Sequence, residues 1–111
     1  MIAFIDYQDV PLYKDTDYEY PITLGGVDYD LHFKWNFRFK FWTISLQKDN
    51  TYIFECKKLV EGWKLSNPDS DDGYFQLIPK QSGRGVPREV DIDVSEYFYL
   101  FYYHSILEIG D

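Results

Sequence analysis

Apolar and polar positions alternate most clearly on either side of a glycine pair, Gly25 and Gly26. A glycine pair suits a two-residue hairpin turn, because both central positions of that turn take positive φ angles. Such a turn pairs six apolar or aromatic side chains on one face: Leu24 with Val27, Ile22 with Tyr29, and Tyr20 with Leu31. The other face carries polar side chains, namely Thr23, Asp28, Asp30, His32 and Lys34. Turn and alternation agree on one register, so the sequence predicts a β-hairpin.

Two further turns extend this hairpin into a predicted four-stranded meander over residues 20–57. The first is a four-residue loop at positions 37–40, which places Trp35 opposite Trp42. One longer strand with a bulge near Trp42 would also fit the alternation, and the hairpin is the favoured interpretation.

The second turn lies at positions 48–50, and its length decides which residues of the next strand face the core. A two-residue loop would set Ile44 against Glu55, an apolar residue against a charged one. A three-residue loop avoids this and gives three better pairs: Leu46 with Tyr52, Ile44 with Phe54, and Trp42 with Cys56. The sequence therefore favours the three-residue loop, with Cys56 on the core face.

The second half of the chain is predicted to contain surface loops at residues 66–73 and 80–88, because both are rich in Gly, Pro, Asp and Ser. Between them, residues 73–79 alternate as a strand that a proline ends. Closing strands are predicted over residues 89–104. Within them, residues 97–103 are apolar on both faces, as in a strand covered on both sides or one with a core face and a subunit-interface face. A helix from Ser95 to His104 is the less favoured alternative.

Composition agrees with an all-β fold. Aromatic residues, which suit the pleated surface of a strand, make up 21% of the 111 residues, and 45% are hydrophobic. This length fits one domain spanning residues 1–111. We expect an antiparallel β-barrel or β-sandwich of seven or eight short strands.

Charge and cysteine content narrow the classes of partner. A formal net charge of -8 argues against a nucleic-acid partner and against an anionic membrane surface. The single cysteine, Cys56, allows no internal disulfide, which suits synthesis and folding in a reducing cytoplasm. The chain begins without the pattern of a signal peptide and has no apolar run of membrane-spanning length. We therefore expect no nucleic acid and no membrane among the partners.

One acidic loop resembles a calcium-binding loop only in part. Asn67, Asp69 and Asp71 have the alternate spacing of the first ligands of an EF-hand loop. However, Asp72 occupies the position that requires glycine, and Ile78 the position that requires glutamate. A solvated acidic turn is the favoured interpretation, and no metal or other cofactor is expected.

The sequence contains no recognisable catalytic set. His32 and His104 are the only histidines, too few for a three-histidine zinc site. Cys56 is predicted to be a buried apolar residue rather than a nucleophile. The carboxylates that alternate on polar strand faces are interpreted as solubilising: Asp28, Asp30, Asp91 and Asp93. We therefore expect a protein that is not an enzyme.

Several motifs, in their order and spacing, are similar to those of a known family. These are the stretch from Pro21 to Leu31 with its Leu-Gly-Gly turn, Trp35-Asn36-x-Arg38, Trp42-x-Ile44-x-Leu46, Leu59-Val60-x-Gly62 followed by Leu65, and the closing aromatic strand. Together they resemble the small baseplate plug proteins of contractile-tailed phages, the family typified by the cyanophage baseplate plug. The resemblance covers the chain from about Pro11 to Tyr103, and residues 67–87 depart in length from many relatives.

This resemblance implies a compact β-domain without enzymatic activity, packed in or beside the central hub of a phage tail baseplate. The implied partners are the hub, spike and tail-tube proteins, with several copies of the chain in each particle. The implied location is the virion, after synthesis in the host cytoplasm.

Five residues are candidates for the partner interface: Arg38, Trp63, Tyr99, Phe101 and Tyr103. Arg38 is expected on an exposed loop, where it could pair with a carboxylate of a neighbouring subunit. The aromatic candidates also suit an alternative function, a small carbohydrate-binding β-sandwich. The two functions differ in whether the aromatic rings form an exposed platform.

Overall fold

The fold of the chain was obtained as a computed structural model, which describes residues 2–70, 73–80 and 94–108. These residues form eight strands and one helical turn, which confirms the all-β class. The strands are β1 (Ile2–Val10), β2 (Asp17–Leu24), β3 (Val27–Asn36), β4 (Phe41–Lys48), β5 (Thr51–Lys58), β6 (Leu65–Ser66), β7 (Tyr74–Pro79) and β8 (Phe98–Glu108), and the helical turn α1 is Val94–Tyr97.

The strands form two antiparallel four-stranded sheets. The meander sheet has the order β2-β3-β4-β5, and the terminal sheet has the order β1-β8-β7-β6. The architecture is therefore sandwich-like, the second of the two alternatives predicted from the sequence. In the described part of the chain, no helix is long and apolar enough to cross a membrane.

The first two hairpins of the meander sheet have the predicted registers. Leu24 lies opposite Val27 across the glycine turn, where Gly25 and Gly26 have φ angles of 57° and 84°. Trp35 lies opposite Trp42, and the ring centroids of this pair are 5.7 Å apart. Both predicted registers are confirmed, because turn geometry and hydrophobic alternation required the same pairing.

The predicted register of the third hairpin is wrong. Its turn has two residues, Asp49 and Asn50, with φ angles of 52° and 61°. Phe54 rather than Tyr52 lies opposite Leu46, because the register shifts within β5. A second shift follows before Lys57, which lies opposite Ile44, so the bulges bring an apolar ring onto the core face without the longer turn.

The second register shift in β5 also exposes Cys56 to solvent, so its predicted core position is wrong. Cys56 has a φ angle of 52°, in the left-handed region. Its backbone N–H donates to the Oγ of the buried Ser45 at 2.9 Å, and its side chain is exposed. The side-chain acceptor holds the bulge where a regular ladder bond would otherwise form.

The closing segment differs from the prediction at both its start and its pairing. Residues 94–97 form the helical turn α1 rather than part of a strand, and residues 89–93 lie outside the described residues. The following strand, β8, pairs with β1 along the whole of Ile2–Val10, a strand that the sequence did not predict. Of the predicted loop 80–88, only Lys80 is described.

The core lies between the two sheets. Buried aromatic and aliphatic side chains of both sheets form one cluster that includes Phe33, Trp42, Phe75 and Tyr102. Phe54 of β5 and Phe75 of β7 meet edge to face across it, with centroids 6.2 Å apart.

The predicted surface loop at 66–73 is partly a core element. Asn67 is only 1% exposed, although a polar residue among Pro, Asp and Ser suggested a solvated turn. Its side-chain amide donates to the hydroxyl oxygens of Tyr29 and Tyr102, which compensates for the burial of the amide.

Candidate interaction surfaces

The outer face of the terminal sheet is lined with aromatic rings. Along β8, Leu100 and Tyr102 point into the core, so the intervening residues Tyr99, Phe101 and Tyr103 point outward. Tyr99 is 48% exposed, and the other two are half-buried. The structure thus brings three of the five candidate residues into one row.

Two neighbouring strands widen this row. Tyr7 of β1 lies opposite Tyr103 and places its ring 5.3 Å from that of Phe101. Tyr74 of β7 stacks on Tyr103, with centroids 5.0 Å apart. We refer to these five rings (Tyr7, Tyr74, Tyr99, Phe101 and Tyr103) as the aromatic face. Sequence analysis missed Tyr7 and Tyr74, because their place depends on which strands pair with β8.

Lysines border the aromatic face. The Nζ of Lys64 lies 4.8 Å from the ring centroid of Tyr74, and that of Lys80 lies 5.0 Å from the ring of Tyr99. Burial, and then the proximity of Tyr74 and Tyr7, raises the pKa of Tyr103. Asp9 and Gln76 lie opposite Phe101 and share its side of the sheet, so the face combines aromatic rings with polar side chains and has lysines at its margin.

Trp63 stands at the β6 edge of the same sheet, outside the row of rings. It is 72% exposed and follows Gly62, which has a φ angle of 76°. The backbone of Gly62 is attached to β7 at two points: its N–H donates to Leu77 O at 3.0 Å, and its carbonyl accepts from Gln76 Nε2 at 2.8 Å. These bonds place the indole beside the sheet.

Arg38 lies in the other sheet, at the tip of the β3–β4 hairpin, and is exposed as expected. Asn36 Oδ1 accepts hydrogen bonds from the backbone N–H groups of Arg38 and Phe39, at 3.0 and 2.9 Å. The loop closes with Lys40, whose φ angle is 57° and whose N–H donates to Asn36 O at 2.7 Å. This gives a physical account of the Asn in Trp-Asn-x-Arg: its side chain organises the loop.

The same loop holds two phenylalanine rings in solvent. Phe37 is 67% exposed and Phe39 is 66% exposed. The guanidinium carbon of Arg38 lies 5.3 Å from the ring centroid of Phe39. We call residues 37–40 the hairpin tip, a second exposed surface that is separate from the aromatic face.

Polar side chains that could carry chemistry, His32, Asp17 and Asn67 among them, have structural partners. His32 lies 2.5 Å from a carboxylate oxygen of Asp17, and this hydrogen bond holds the pKa of Asp17 below its usual value. Among the described residues, no group of three or more His, Cys, Asp or Glu side chains could hold a metal ion. Asn67 Oδ1 accepts from the backbone N–H of Asp69, and Asp71 lies outside the described residues.

Comparison with known protein families shows which family the chain belongs to. The family described as "Cyanophage baseplate Pam3 plug gp18" matches residues 7–105. The chain belongs to this baseplate plug family. No curated protein and no solved structure matches the chain significantly.

Membership in the baseplate plug family gives the chain a structural role in a phage tail baseplate. The part of the chain that matches the plug family spans both exposed surfaces. It begins at Tyr7, the β1 contribution to the aromatic face, and it includes the hairpin tip and the row that ends at Tyr103.

Proposed function

We propose that this chain is a non-enzymatic plug that packs against the central hub of the baseplate through its aromatic face. Membership in the plug family supports the location. The single observation that carries the choice of surface is the row of outward rings on β8 (Tyr99, Phe101 and Tyr103), widened by Tyr7 and Tyr74.

The aromatic face has the properties of the centre of a protein interface. Aromatic residues are enriched in interface cores, whereas lysines are depleted there and are common at the rim. The rings of this face pack against one another before any partner binds, as the 5.7 Å separation of Tyr99 and Phe101 shows. Side chains that are already ordered lose less entropy on binding, which favours affinity.

The partners we propose are the hub, spike and tail-tube proteins, with several copies of the chain in each virion. Symmetric assemblies repeat the same contact around an axis, so one face per chain is sufficient. Synthesis in the host cytoplasm is consistent with the single exposed thiol of Cys56.

The absence of enzymatic activity is part of this proposal. Among the described residues, His32 is engaged by Asp17, and Cys56 is exposed on an edge strand. The carboxylates Asp28 and Asp30 lie on the polar face of the meander sheet, outside the core.

The test is co-expression with the tail proteins, followed by affinity capture and light scattering of the complex. We expect a stoichiometric complex with the wild-type chain and its loss with Tyr99→Ser combined with Phe101→Ser. Tyr52→Ser is the matched control, because Tyr52 is 47% exposed, against 48% for Tyr99, and lies on the other sheet. If the doubly substituted protein has an unchanged thermal melt and still forms the complex, the aromatic face is not the surface that binds the tail proteins.

A second candidate function is carbohydrate binding, because several rings are exposed to solvent. Trp63 at 72% and Tyr7 at 60% exposure could each stack on a sugar ring. Isothermal titration with the surface glycans of the host would test this. Glycan binding that is lost in Trp63→Ala, together with failure to bind any tail protein, would favour this function over the plug function.

A further inference from the structure

Positive charge is concentrated at one end of the meander sheet, although the protein as a whole is acidic. The net charge is -8, yet five of its 11 lysines and arginines lie at the end of the meander sheet that carries the hairpin tip: Lys34, Arg38, Lys40, Lys57 and Lys58. All five are exposed, and none forms an ion pair with a carboxylate of the described residues. Lys34 lies opposite Asp17, which brings one carboxylate to the same end of the sheet. The other four cations make this end basic around the hairpin tip.

The hairpin tip projects from this basic end as an apolar knob of fixed shape. Its two rings, Phe37 and Phe39, are two-thirds exposed. Its backbone is held by the three hydrogen bonds that Asn36 accepts. A knob of this kind fits a concave surface whose wall is partly apolar and whose rim is acidic.

A surface with those properties lies at the opposite end of the same sheet. An open groove of about 570 Å³ lies beside the β2–β3 and β4–β5 turns. Its apolar wall includes Pro21 and Ile22, and its carboxylates are Asp28, Asp30 and Asp49. None of the three carboxylates pairs with a lysine or arginine in the part of the chain that the structure describes. We call this the acidic groove.

The tip and the acidic groove cannot meet within one molecule. They lie at opposite ends of β3, which has 10 residues. At about 3.3 Å for each residue of a strand, the separation is roughly 25–30 Å. The hairpin tip and the acidic groove can therefore meet only between two molecules.

We propose that the hairpin tip of one copy of this chain docks in the acidic groove of a second copy. Phe37 and Phe39 would enter the groove, and Arg38 and Lys40 would face its carboxylates. The contact is head-to-tail, so each copy offers a free tip and a free groove, and successive copies form a ring when the rotation closes. The aromatic face takes no part in this contact and stays available for the baseplate partner proposed above.

Reciprocal charge reversal tests the contact. One variant carries Arg38→Glu and Lys40→Glu, so that both its tip and its groove are acidic. The other carries Asp28→Lys and Asp30→Lys, so that both are basic. We expect each variant alone to self-associate at least about tenfold more weakly than wild type, because like charges then meet at the contact. An equimolar mixture should regain association, since every tip then meets a groove of opposite charge.

The measurement is sedimentation equilibrium of the full chain at concentrations up to about 1 mM, because a contact of this small size is expected to be weak. Wild-type association should decrease with added salt. The matched control carries Lys64→Glu and Lys80→Glu, which changes the net charge as the tip variant does but at the margin of the aromatic face. We expect it to associate as wild type does.

Three results would overturn the proposal. The first is a wild-type chain that stays monomeric over the whole range. The second is a mixture that remains dissociated although both variants retain the native circular dichroism spectrum. The third is loss of association in the control, which would show that copies meet through the aromatic face instead. Capture of tail proteins is measured separately, so failure of this contact leaves the proposed plug function open to its own test.

Discussion

The side-chain amide of Asn67 donates to the hydroxyl oxygen of Tyr102 at 3.1 Å, and each residue is 1% exposed. The same amide donates to the hydroxyl oxygen of Tyr29 at 3.3 Å. Tyr102 belongs to β8 of the terminal sheet and Tyr29 to β3 of the meander sheet. One loop side chain therefore connects the two sheets through buried hydrogen bonds.

Replacing Asn67 should destabilise the fold more than a typical surface change. Asn67→Ala removes two buried hydrogen bonds and the one that Asn67 Oδ1 accepts from Asp69 N–H, and it should lower the free energy of unfolding by about 2–3 kcal/mol. Tyr102→Phe should cost about 1 kcal/mol, since it removes one of them. Urea denaturation of both single variants and the double variant gives the coupling energy, which we expect to be positive, with the double variant losing less than the sum. Additive losses would show that the bond contributes nothing.

The organisation of the hairpin tip should depend on the acceptor oxygen of Asn36. Asn36→Ala leaves the N–H groups of Arg38 and Phe39 without their side-chain acceptor and should cost about 1–2 kcal/mol. Asn36→Asp keeps an acceptor at the same place and is the matched control. Amide hydrogen exchange at residues 38 and 39 should accelerate in the alanine variant alone. Equal exchange in both variants would contradict this account of the loop.

Cys56 should react in the native protein, because its side chain is exposed. A thiol reagent such as 5,5′-dithiobis(2-nitrobenzoate) should modify it completely without denaturant. Because its φ angle of 52° is unfavourable for a residue with a Cβ, Cys56→Gly should stabilise the fold by about 1 kcal/mol. Cys56→Ser, with the same backbone preference, should change little. Reaction only after unfolding would restore the core position that the sequence suggested.

Low pH should remove the contribution of Asp69 to the stability of the fold. Hydrogen bonds from Tyr29 and then from Lys48 hold the pKa of Asp69 below its usual value of 3.8. Burial raises the pKa of Tyr29 to about 12, so its hydroxyl stays protonated and able to donate. A depressed carboxyl pKa stabilises the fold above pH 3.8, and this stabilisation is lost as the pH falls through the folded-state pKa.

The comparison of wild type with Asp69→Asn tests this dependence. Wild type should be the more stable at pH 6, and the difference should shrink below pH 3.8 as the carboxyl is protonated. Thermal unfolding at a series of pH values measures it. A stability difference between the two proteins that does not change with pH would mean that the charge of Asp69 makes no contribution to stability.

The sequence predicts a hairpin well where short-range signals agree. At Gly25 and Gly26, the turn type and the alternation of side chains require the same register, and the structure has it. At Asp49 and Asn50, the two signals conflict, because a two-residue turn with regular pairing would bring Glu55 opposite Ile44 in the core, and the sequence therefore favoured a longer loop. The structure resolves the conflict with bulges in β5, one of them bonded to the Oγ of Ser45. A bulge of this kind depends on a cross-strand partner that alternation does not reveal.

The sequence alone predicts part of the aromatic face but not the acidic groove. The outward positions of Tyr99, Phe101 and Tyr103 follow from alternation within one strand. Tyr7 joins them only because β1 pairs with β8, a contact between the two ends of the chain. The acidic groove combines the β2–β3 and β4–β5 turns, so its shape also depends on pairing.

Local signals in the amino-acid sequence determined the all-β class, the glycine hairpin, the pairing of Trp35 with Trp42 and the motifs of the plug family. These depend on neighbouring residues and on the two-residue period of a strand. Tertiary structure alone decided the partner of β1, the exposure of Cys56 and the burial of Asn67. Each of these depends on contacts between residues that are not neighbours in the chain or on one side-chain hydrogen bond, and neither leaves a periodic trace in the sequence.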